Sequence, residues 1–267
     1  LTKEEIQDCL LAHISGVEQD RIEIWDVNEE EEKIIIEAGK VMEESLLYGE
    51  YLPDFTIDSI NDTIEHYVIN KNIKYAFFDY INDSPELYRY YYEKTKVKLR
   101  TDQILFLFSC ALKRTANKFN IYLGSSTQLN DSYKDDSNKD AGALKGSKAI
   151  IEKADYGVLA LPVTHKDLKR LKPIIESEGR FGSVTPNMSY YIFKNRGGKW
   201  KAIIVWTKIN LGTMREVDCF VTDYNFELVT DIEKTLIDFQ LDDVGNVGMI
   251  ESDVDVSGSD LATELSK

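Results

Sequence analysis

The stretch "NIYLGSSTQLND", residues 120–131, reads as an apolar strand that ends abruptly in polar side chains. It follows residues 99–119, in which apolar side chains recur every three or four positions, the spacing of an amphipathic helix. Further upstream, "IKYAFFDY", residues 73–80, is apolar on both faces, as is typical of a central strand in a parallel sheet. Together these segments predict a strand-helix-strand unit whose two strands are parallel.

Helices elsewhere are predicted by capping residues and helical spacing, and strands by apolar runs beside glycine turns. The predicted helices begin at Thr2, Asn28, Thr56 and residue 164. The predicted strands are residues 156–163, a hairpin over residues 189–209 that turns at Gly197 and Gly198, and residues 218–222. This order predicts an α/β domain with a mostly parallel central sheet, flanking helices and a C-terminal antiparallel hairpin.

Charge divides the 267 residues into two regions. Residues 231–267 contain ten Asp and Glu against two Lys, a net charge of −8, whereas residues 1–230 carry −7 of the total of −15. A strongly acidic chain argues against nucleic-acid binding, but the concentration of charge at one end weakens that objection. We predict one domain over residues 1–230 and an acidic, disordered tail over residues 231–267.

Apolar runs in this chain all fall short of the roughly 18 residues that a transmembrane helix needs. We therefore expect a soluble, cytoplasmic protein without a membrane partner. Cys9, Cys110 and Cys219 are odd in number and widely spaced, which favours reduced thiols over disulfides or a metal site.

Two predicted strands end in residues suited to nucleotide chemistry. Asp79 follows the run of residues 75–78, as the aspartate of a Walker B strand does, and such a carboxylate can position Mg2+ beside phosphates. Gln128 lies at the end of the next strand, and its amide can accept from a water and donate to a phosphate oxygen. The alternatives are a capping or turn role for Asp79 and an ordinary loop entry at Gln128.

Lys194 and Arg196 lie two residues apart just before the glycine turn, so strand alternation places both on one face. Two cations on a hairpin tip can reach an anion outside their own fold, such as a phosphate on a neighbouring subunit. A solvated hairpin tip is the alternative. The aromatic and basic stretch of residues 84–100 could likewise stack on bases, or serve packing or a subunit contact.

A phosphate-binding P-loop, G-x-x-x-x-G-K-[ST], does not occur in this sequence. "GALKGSK", residues 142–148, has glycines and lysines in a different order. These 267 residues therefore cannot cradle phosphates by a P-loop.

Five motifs, taken in order, resemble the C-terminal RecA-like ATPase domain of DnaB-type replicative DNA helicases, bacterial or phage. They are "LTKEEIQDCLLAHISGV", "YAFFDY", "LKRTANKFNIYLGSSTQLN", "LKGSKAIIEKADYGVLAL" and "YYIFKNRGG", within residues 1–223. The resemblance implies a RecA-like P-loop NTPase core that assembles as a homo-hexamer, hydrolyses ATP with Mg2+ between subunits and moves along single-stranded DNA. A primase and a helicase loader are further partners that it suggests.

The resemblance also implies a role for individual residues. Asp79 matches the Walker B aspartate for Mg2+, and Gln128 matches the glutamine that senses the γ-phosphate. Lys194 and Arg196 match the hairpin pair that reaches the neighbouring subunit's γ-phosphate. The loop residues that match a DNA-gripping channel loop are Lys145, Gly146, Ser147 and Lys148.

The P-loop strand and helix and the catalytic glutamate of that family precede the segment matching residue 1, and the sequence begins with Leu1. We therefore expect a piece of a longer helicase, inactive by itself. Two alternatives stay open: another RecA-like ATPase, of the recombinase or clock type, and a non-catalytic RecA-like interaction module whose acidic tail binds a basic partner.

Overall fold

The structure is a computed structural model that describes residues 3–130, 148–177, 184–198, 200, 202–230, 239–241 and 247–249. Residues 148–149 and the last two segments are described by their backbone. The chain divides into two compact units. The first contains Leu1–Gly49, Asn210–Arg215 and Asp231–Lys267, and the second contains Glu50–Ile209 and Glu216–Thr230.

The first unit is built on three helices, α1 (Lys3–Ser15), α2 (Gln19–Glu23) and α3 (Glu29–Glu44). The predicted cap at Asn28 is confirmed, since its side chain accepts from the backbone N–H of Glu30 and Glu31. Capping satisfies N–H groups that have no partner within the helix. The small core of this unit contains Ala12, Val17, Ile22 and Ile35.

Arg215 closes the end of α1 within the same unit. Its Nε donates to the carbonyl of His13 and its Nη2 to that of Ile14, each at 2.8 Å. A cation at a helix C-terminus pairs with carbonyls that would otherwise lack partners. Gly16, at a φ of +78°, makes room for this guanidinium, because a Cβ there would lie 2.7 Å from an Arg215 nitrogen.

The second unit begins with the predicted strand-helix-strand region. Its elements are α4 (Ile57–Lys71), β1 (Tyr75–Phe78), α5 (Pro85–Thr95), α6 (Thr101–Phe119) and β2 (Tyr122–Ser125). Thr56 caps α4, as predicted. β1 and β2 pair in parallel, with Tyr75 opposite Tyr122 and Phe78 opposite Ser125. The predicted parallel pair is therefore confirmed.

The two faces of this parallel pair differ. On one face Phe78 packs against Phe55 and Phe108, with ring centroids 5.0 and 5.5 Å apart. On the other face Tyr75 is 69% exposed, Phe77 77% and Tyr122 49%. Among the described strands β1 has a single neighbour, so the expected central position, covered on both faces, is not seen.

A four-stranded sheet completes the second unit. Its strands are β3 (Tyr156–Pro162), β4 (Met188–Asn195), β5 (Ile203–Asn210) and β6 (Arg215–Asp223), and α7 (His165–Ile175) lies between β3 and β4 in sequence. The strand order is β3-β4-β5-β6, and β4 is antiparallel to both β3 and β5. The predicted hairpin is confirmed. Trp206, fully buried in this core, donates from Nε1 to Thr222 Oγ1 at 2.9 Å.

The prediction of a mostly parallel sheet is wrong for the described strands. Only β1 and β2 pair in parallel, and the larger sheet is antiparallel. Short connections join β4 to β5 and β5 to β6, and parallel neighbours need a crossover of a dozen residues or so. What the structure does have is a mixed α/β fold with a short parallel sheet and an antiparallel four-stranded one.

The acidic tail contains two short antiparallel strands, β7 (Phe239–Leu241) and β8 (Val247–Met249). Its other residues lie outside the described ranges, so the disordered tail and the boundary near residue 230 stay predictions. Within the part of the chain that is described, no helix is both long and apolar enough to cross a bilayer.

Candidate functional site

The ends of β1 and β2 are joined by hydrogen bonds at one edge of the parallel pair. Ser126 Oγ donates to Asp79 Oδ1 at 2.9 Å, and Ser125 Oγ donates to the carbonyl of Phe78 at 2.6 Å. The backbone N–H of Ile81 donates to the carbonyl of Ser126 at 2.8 Å. Parallel strands end at the same edge of a sheet. The polar side chains at the end of β2 therefore orient the carboxylate of Asp79, which follows β1.

Gln128 belongs to the same strand-end region. Its Nε2 donates to the hydroxyl of Tyr80 at 3.1 Å, one residue beyond Asp79. Both Asp79 and Gln128 are exposed, so solvent and ligands reach them. The structure thus brings the two predicted nucleotide residues onto neighbouring segments, as the strand order predicted.

The donors at this edge suit a magnesium ion that arrives on a nucleotide. Asp79 supplies a carboxylate and Ser125 and Ser126 supply hydroxyls, the oxygen ligands that Mg2+ prefers. Among the described residues, no group of three or more His, Cys, Asp or Glu could hold a metal by itself. The remaining ligands of such an ion would be water or further oxygen groups.

Lys194 lies near the end of β4 and Arg196 directly follows the strand, and both side chains contact the same backbone carbonyl, that of Glu152. Lys194 Nζ donates to the carbonyls of Ile151 and Glu152 at 2.6 and 3.1 Å, at the end of the 3-10 helix Lys148–Glu152. Arg196 Nη2 donates to the carbonyl of Glu152 at 3.4 Å, and Nη1 donates to Asp155 Oδ1 at 3.3 Å. In this state both side chains bind groups of their own chain.

Asp155 connects this pair to α6. Lys113 Nζ donates to Asp155 Oδ2 at 2.5 Å, and this hydrogen bond is the main reason why the pKa of Asp155 is lowered. The pKa of Lys194 is also lowered, first by desolvation and then by the charge of Arg196. Lys113, Lys194 and Arg196 thus all act on the carboxylate of Asp155 at this end of the antiparallel sheet.

Sequence reasoning assigned no role to Lys113 or Asp155. Both occur inside quoted motifs, "LKRTANKF" and "ADYGVLAL", so a signal was present in the sequence. Their partnership spans 42 positions, which no local pattern reveals.

The predicted DNA-binding residues lie almost entirely outside the described ranges. Lys145, Gly146 and Ser147 are not described, and Lys148 is described only by its backbone, at the start of the 3-10 helix. Their contact with DNA stays a prediction.

The aromatic and basic stretch forms α5 and the segment after it. Leu87 and Tyr91 are buried in the core, and Tyr90 donates to Asp58 at 2.8 Å, with Lys94 4.0 Å above its ring. Packing therefore accounts for these side chains, whereas Tyr92 remains exposed.

Comparison with known proteins places this geometry in a wider context. No protein-family model matches the chain. It is 42% identical over 235 residues to the SPbeta prophage-derived uncharacterized protein YorI of Bacillus subtilis (strain 168), a match that covers 86% of this chain and 46% of the relative. The chain thus spans about half the length of that curated relative.

A solved structure shows which fold the chain shares. The structure, described as that of a DnaB-like replicative helicase and its interactions with primase, superposes with a TM-score of 0.61 at 15% identity. The match covers 81% of this chain and 48% of the helicase chain. The fold is therefore similar to that of a DnaB-like helicase, and this similarity is consistent with a RecA-like core.

Proposed function

We propose that this chain is part of the motor domain of a replicative DNA helicase, which couples ATP hydrolysis at subunit interfaces to movement along single-stranded DNA. The observation that carries the proposal is the arrangement of Asp79, Ser126 and Gln128 at the shared edge of β1 and β2. Ligands of open α/β sheets bind at this edge. The fold similarity to a DnaB-like helicase adds independent support.

In this proposal each side chain has a defined task. Asp79 holds the Mg2+ of bound ATP, directly or through water, and Ser126 keeps its carboxylate oriented. Gln128 contacts the γ-phosphate or the attacking water, since an amide both donates and accepts. Lys194 and Arg196 of one subunit reach the phosphate of the next in a homo-hexamer, where positive charge stabilises the transition state.

The nucleic-acid part of the proposal rests on the sequence segment Lys145, Gly146, Ser147 and Lys148. Lysine and backbone N–H groups contact phosphates without reading sequence, as a translocating motor requires. A helicase loader and a primase are proposed as further partners, the latter because the structural neighbour is described in terms of its interactions with primase.

The proposal also requires a P-loop and a catalytic glutamate, which we place in a segment before Leu1 of a longer parent protein. The uncovered aromatic face of β1 and β2 is consistent with this, since strands that are apolar on both faces normally lie between two layers. Packing of the additional segment on Tyr75, Phe77 and Tyr122 would complete the layer.

The test is ATP hydrolysis by the parent protein with and without single-stranded DNA. Gln128→Ala and Arg196→Ala should each abolish most DNA-stimulated turnover, because a transition-state contact of this kind contributes roughly 100-fold or more. Gln7→Ala and Arg89→Ala, which truncate exposed residues of the same types, serve as controls. Wild-type turnover in the two site variants would show that the site is wrongly assigned.

A non-catalytic interaction module is the second candidate, and one observation favours it. Lys194 and Arg196 already bind carbonyls and a carboxylate of their own chain, so neither needs an external phosphate to be satisfied. A parent protein that neither hydrolyses ATP nor responds to single-stranded DNA would support the module, and the other RecA-like ATPases would hydrolyse ATP without unwinding duplex DNA.

A further inference from the structure

Asp155 lies at the centre of a cationic cluster that no predicted role explains. It accepts from Lys113 at 2.5 Å and from Arg196 at 3.3 Å, and Lys194 also acts on it through its charge. Three cations thus converge on one hydrogen-bonded carboxylate, with the side chain of Glu152 acting on Lys194 through its charge. In a chain of net charge −15, such a local excess of positive charge favours an anionic ligand.

The two ion pairs of Asp155 differ in strength. The Lys113 pair is short, and both side chains are about two-thirds buried, with 32% and 37% exposure. The Arg196 pair is a single contact of 3.3 Å from a side chain that is 57% exposed. Exposed ion pairs with long contacts contribute little to stability, so the Arg196 side chain can leave Asp155 at small cost.

The backbone holds this exchangeable contact in place. The N–H of Arg196 donates to the carbonyl of Asp155 at 2.9 Å, next to the β3–β4 pairing of Tyr156 with Asn195. The guanidinium can therefore change partner while its Cα stays fixed beside Asp155. Arginine is suited to such an exchange because its planar fork matches carboxylate and phosphate equally well.

We propose that Asp155 is a resident counter-ion that competes with a phosphate ligand for Lys194 and Arg196. The ligand class is the terminal phosphate of a polyphosphate chain, and its assignment to a neighbouring subunit's nucleoside triphosphate rests on the proposed function. When no phosphate is present, Arg196 pairs with Asp155. When phosphate binds, Arg196 contacts the phosphate instead, so the partner of Arg196 distinguishes the empty site from the loaded one. Lys113 orients Asp155, so both act as positioning residues for Arg196.

Tripolyphosphate binding to the 267-residue chain tests the site without requiring hydrolysis. We would measure how far tripolyphosphate raises the midpoint of thermal unfolding at low protein concentration. Sodium chloride at the same ionic strength serves as the comparison. Asp155→Asn should bind tripolyphosphate about tenfold more tightly than wild type, because it removes a unit charge a few ångströms from the ligand. Arg196→Ala should bind at least about tenfold more weakly.

The matched control is Glu65→Gln, which removes the carboxylate of the exposed Lys118 pair elsewhere in the same unit. A purely structural Asp155 predicts no gain in affinity for tripolyphosphate in Asp155→Asn, whatever the midpoint of that variant without ligand. Equal binding by wild type, Asp155→Asn and Glu65→Gln overturns the proposal. If Asp155→Asn fails to fold, the Arg196→Ala variant decides the question. Tripolyphosphate binding by Arg196→Ala that is as tight as in wild type would show that the site is wrongly assigned.

Two further experiments identify the source of the ligand and test this inference separately from the proposed function. A non-hydrolysable ATP analogue should compete with tripolyphosphate, and competition by oligothymidylate alone overturns the nucleotide assignment. Suppose that Arg196→Ala abolishes ATP hydrolysis by the parent protein, but Asp155→Asn does not change anion binding. The inference about Asp155 is then wrong, whereas the proposed function is supported. If the parent protein binds the anion as predicted but hydrolyses no ATP, the phosphate site is supported and the helicase proposal is wrong.

Discussion

Ser126 donates a hydrogen bond of 2.9 Å to the carboxylate of Asp79, across the ends of two parallel strands that lie 47 residues apart in sequence. The contact orients the acid that follows β1 by means of the polar end of β2. A carboxylate held in this way keeps one oxygen occupied and presents the other to a ligand.

Asp79→Asn should lower ATP hydrolysis by the parent protein by roughly 100-fold or more, because a neutral amide is a poor ligand for the metal that neutralises the transferring phosphate. Ser126→Ala should cost less, about tenfold or below, since it removes only the orienting bond. Steady-state turnover over a range of Mg2+ concentrations measures both. The control is Asp62→Asn on α4, which changes an exposed carboxylate. Full activity in Asp79→Asn would contradict the assignment.

Acid should remove the stabilising effect of Asp155. Its pKa is lowered in the folded state, first by the hydrogen bond from Lys113, so its contribution is present above the ordinary value of 3.8 and is lost as pH falls through the lower folded value. The contribution should be about 1 kcal/mol at most, because the side chain is more than a third exposed.

Urea unfolding of wild type and Asp155→Asn measures this effect. The difference between their free energies of unfolding should be constant from about pH 7 to 5 and should shrink below about pH 4. Asp62→Asn again supplies the comparison. A difference that grows on acidification would contradict the lowered pKa.

The open face of the parallel pair should make the isolated chain self-associate. Tyr75 and Phe77 expose large aromatic surfaces, and exposed apolar patches of this kind promote association. Tyr75→Thr with Phe77→Thr should reduce the associated fraction in sedimentation velocity and leave the circular dichroism spectrum unchanged, because neither side chain enters the core. Tyr92→Thr, on an exposed part of α5, should change nothing, and equal association in all three proteins would contradict the prediction.

Phe108 should be essential for the stability of the second unit. It is fully buried between Phe55 and Phe78, with centroid distances of 5.7 and 5.5 Å. Phe108→Ala should lower the free energy of unfolding by about 3–5 kcal/mol, through lost burial and the cavity left behind. Tyr92→Ala should cost no more than about 0.5 kcal/mol. Denaturant midpoints at constant m-value measure both, and comparable losses would show that the aromatic core is misplaced.

Local signals in the sequence determined a large part of the fold. Capping residues marked the starts of α3 and α4, and helical spacing marked α6, because these features act within one or two turns of the chain. The glycine pair marked the β4–β5 hairpin, and the strand-helix-strand order was enough to predict that β1 and β2 are parallel. The shared edge of Asp79 and Gln128 followed from that order.

Only the tertiary structure decided how the remaining strands pair and which groups the cations meet. The antiparallel course of β3 to β6 replaced the expected parallel sheet, because hydrogen bonding between strands is non-local and an apolar run does not specify direction. Asp155 meets Lys113 and Arg196 across 42 and 41 positions, and separations of that size are closed by packing of the whole unit. The sequence by itself supplied the charged residues, and the fold selected their partners.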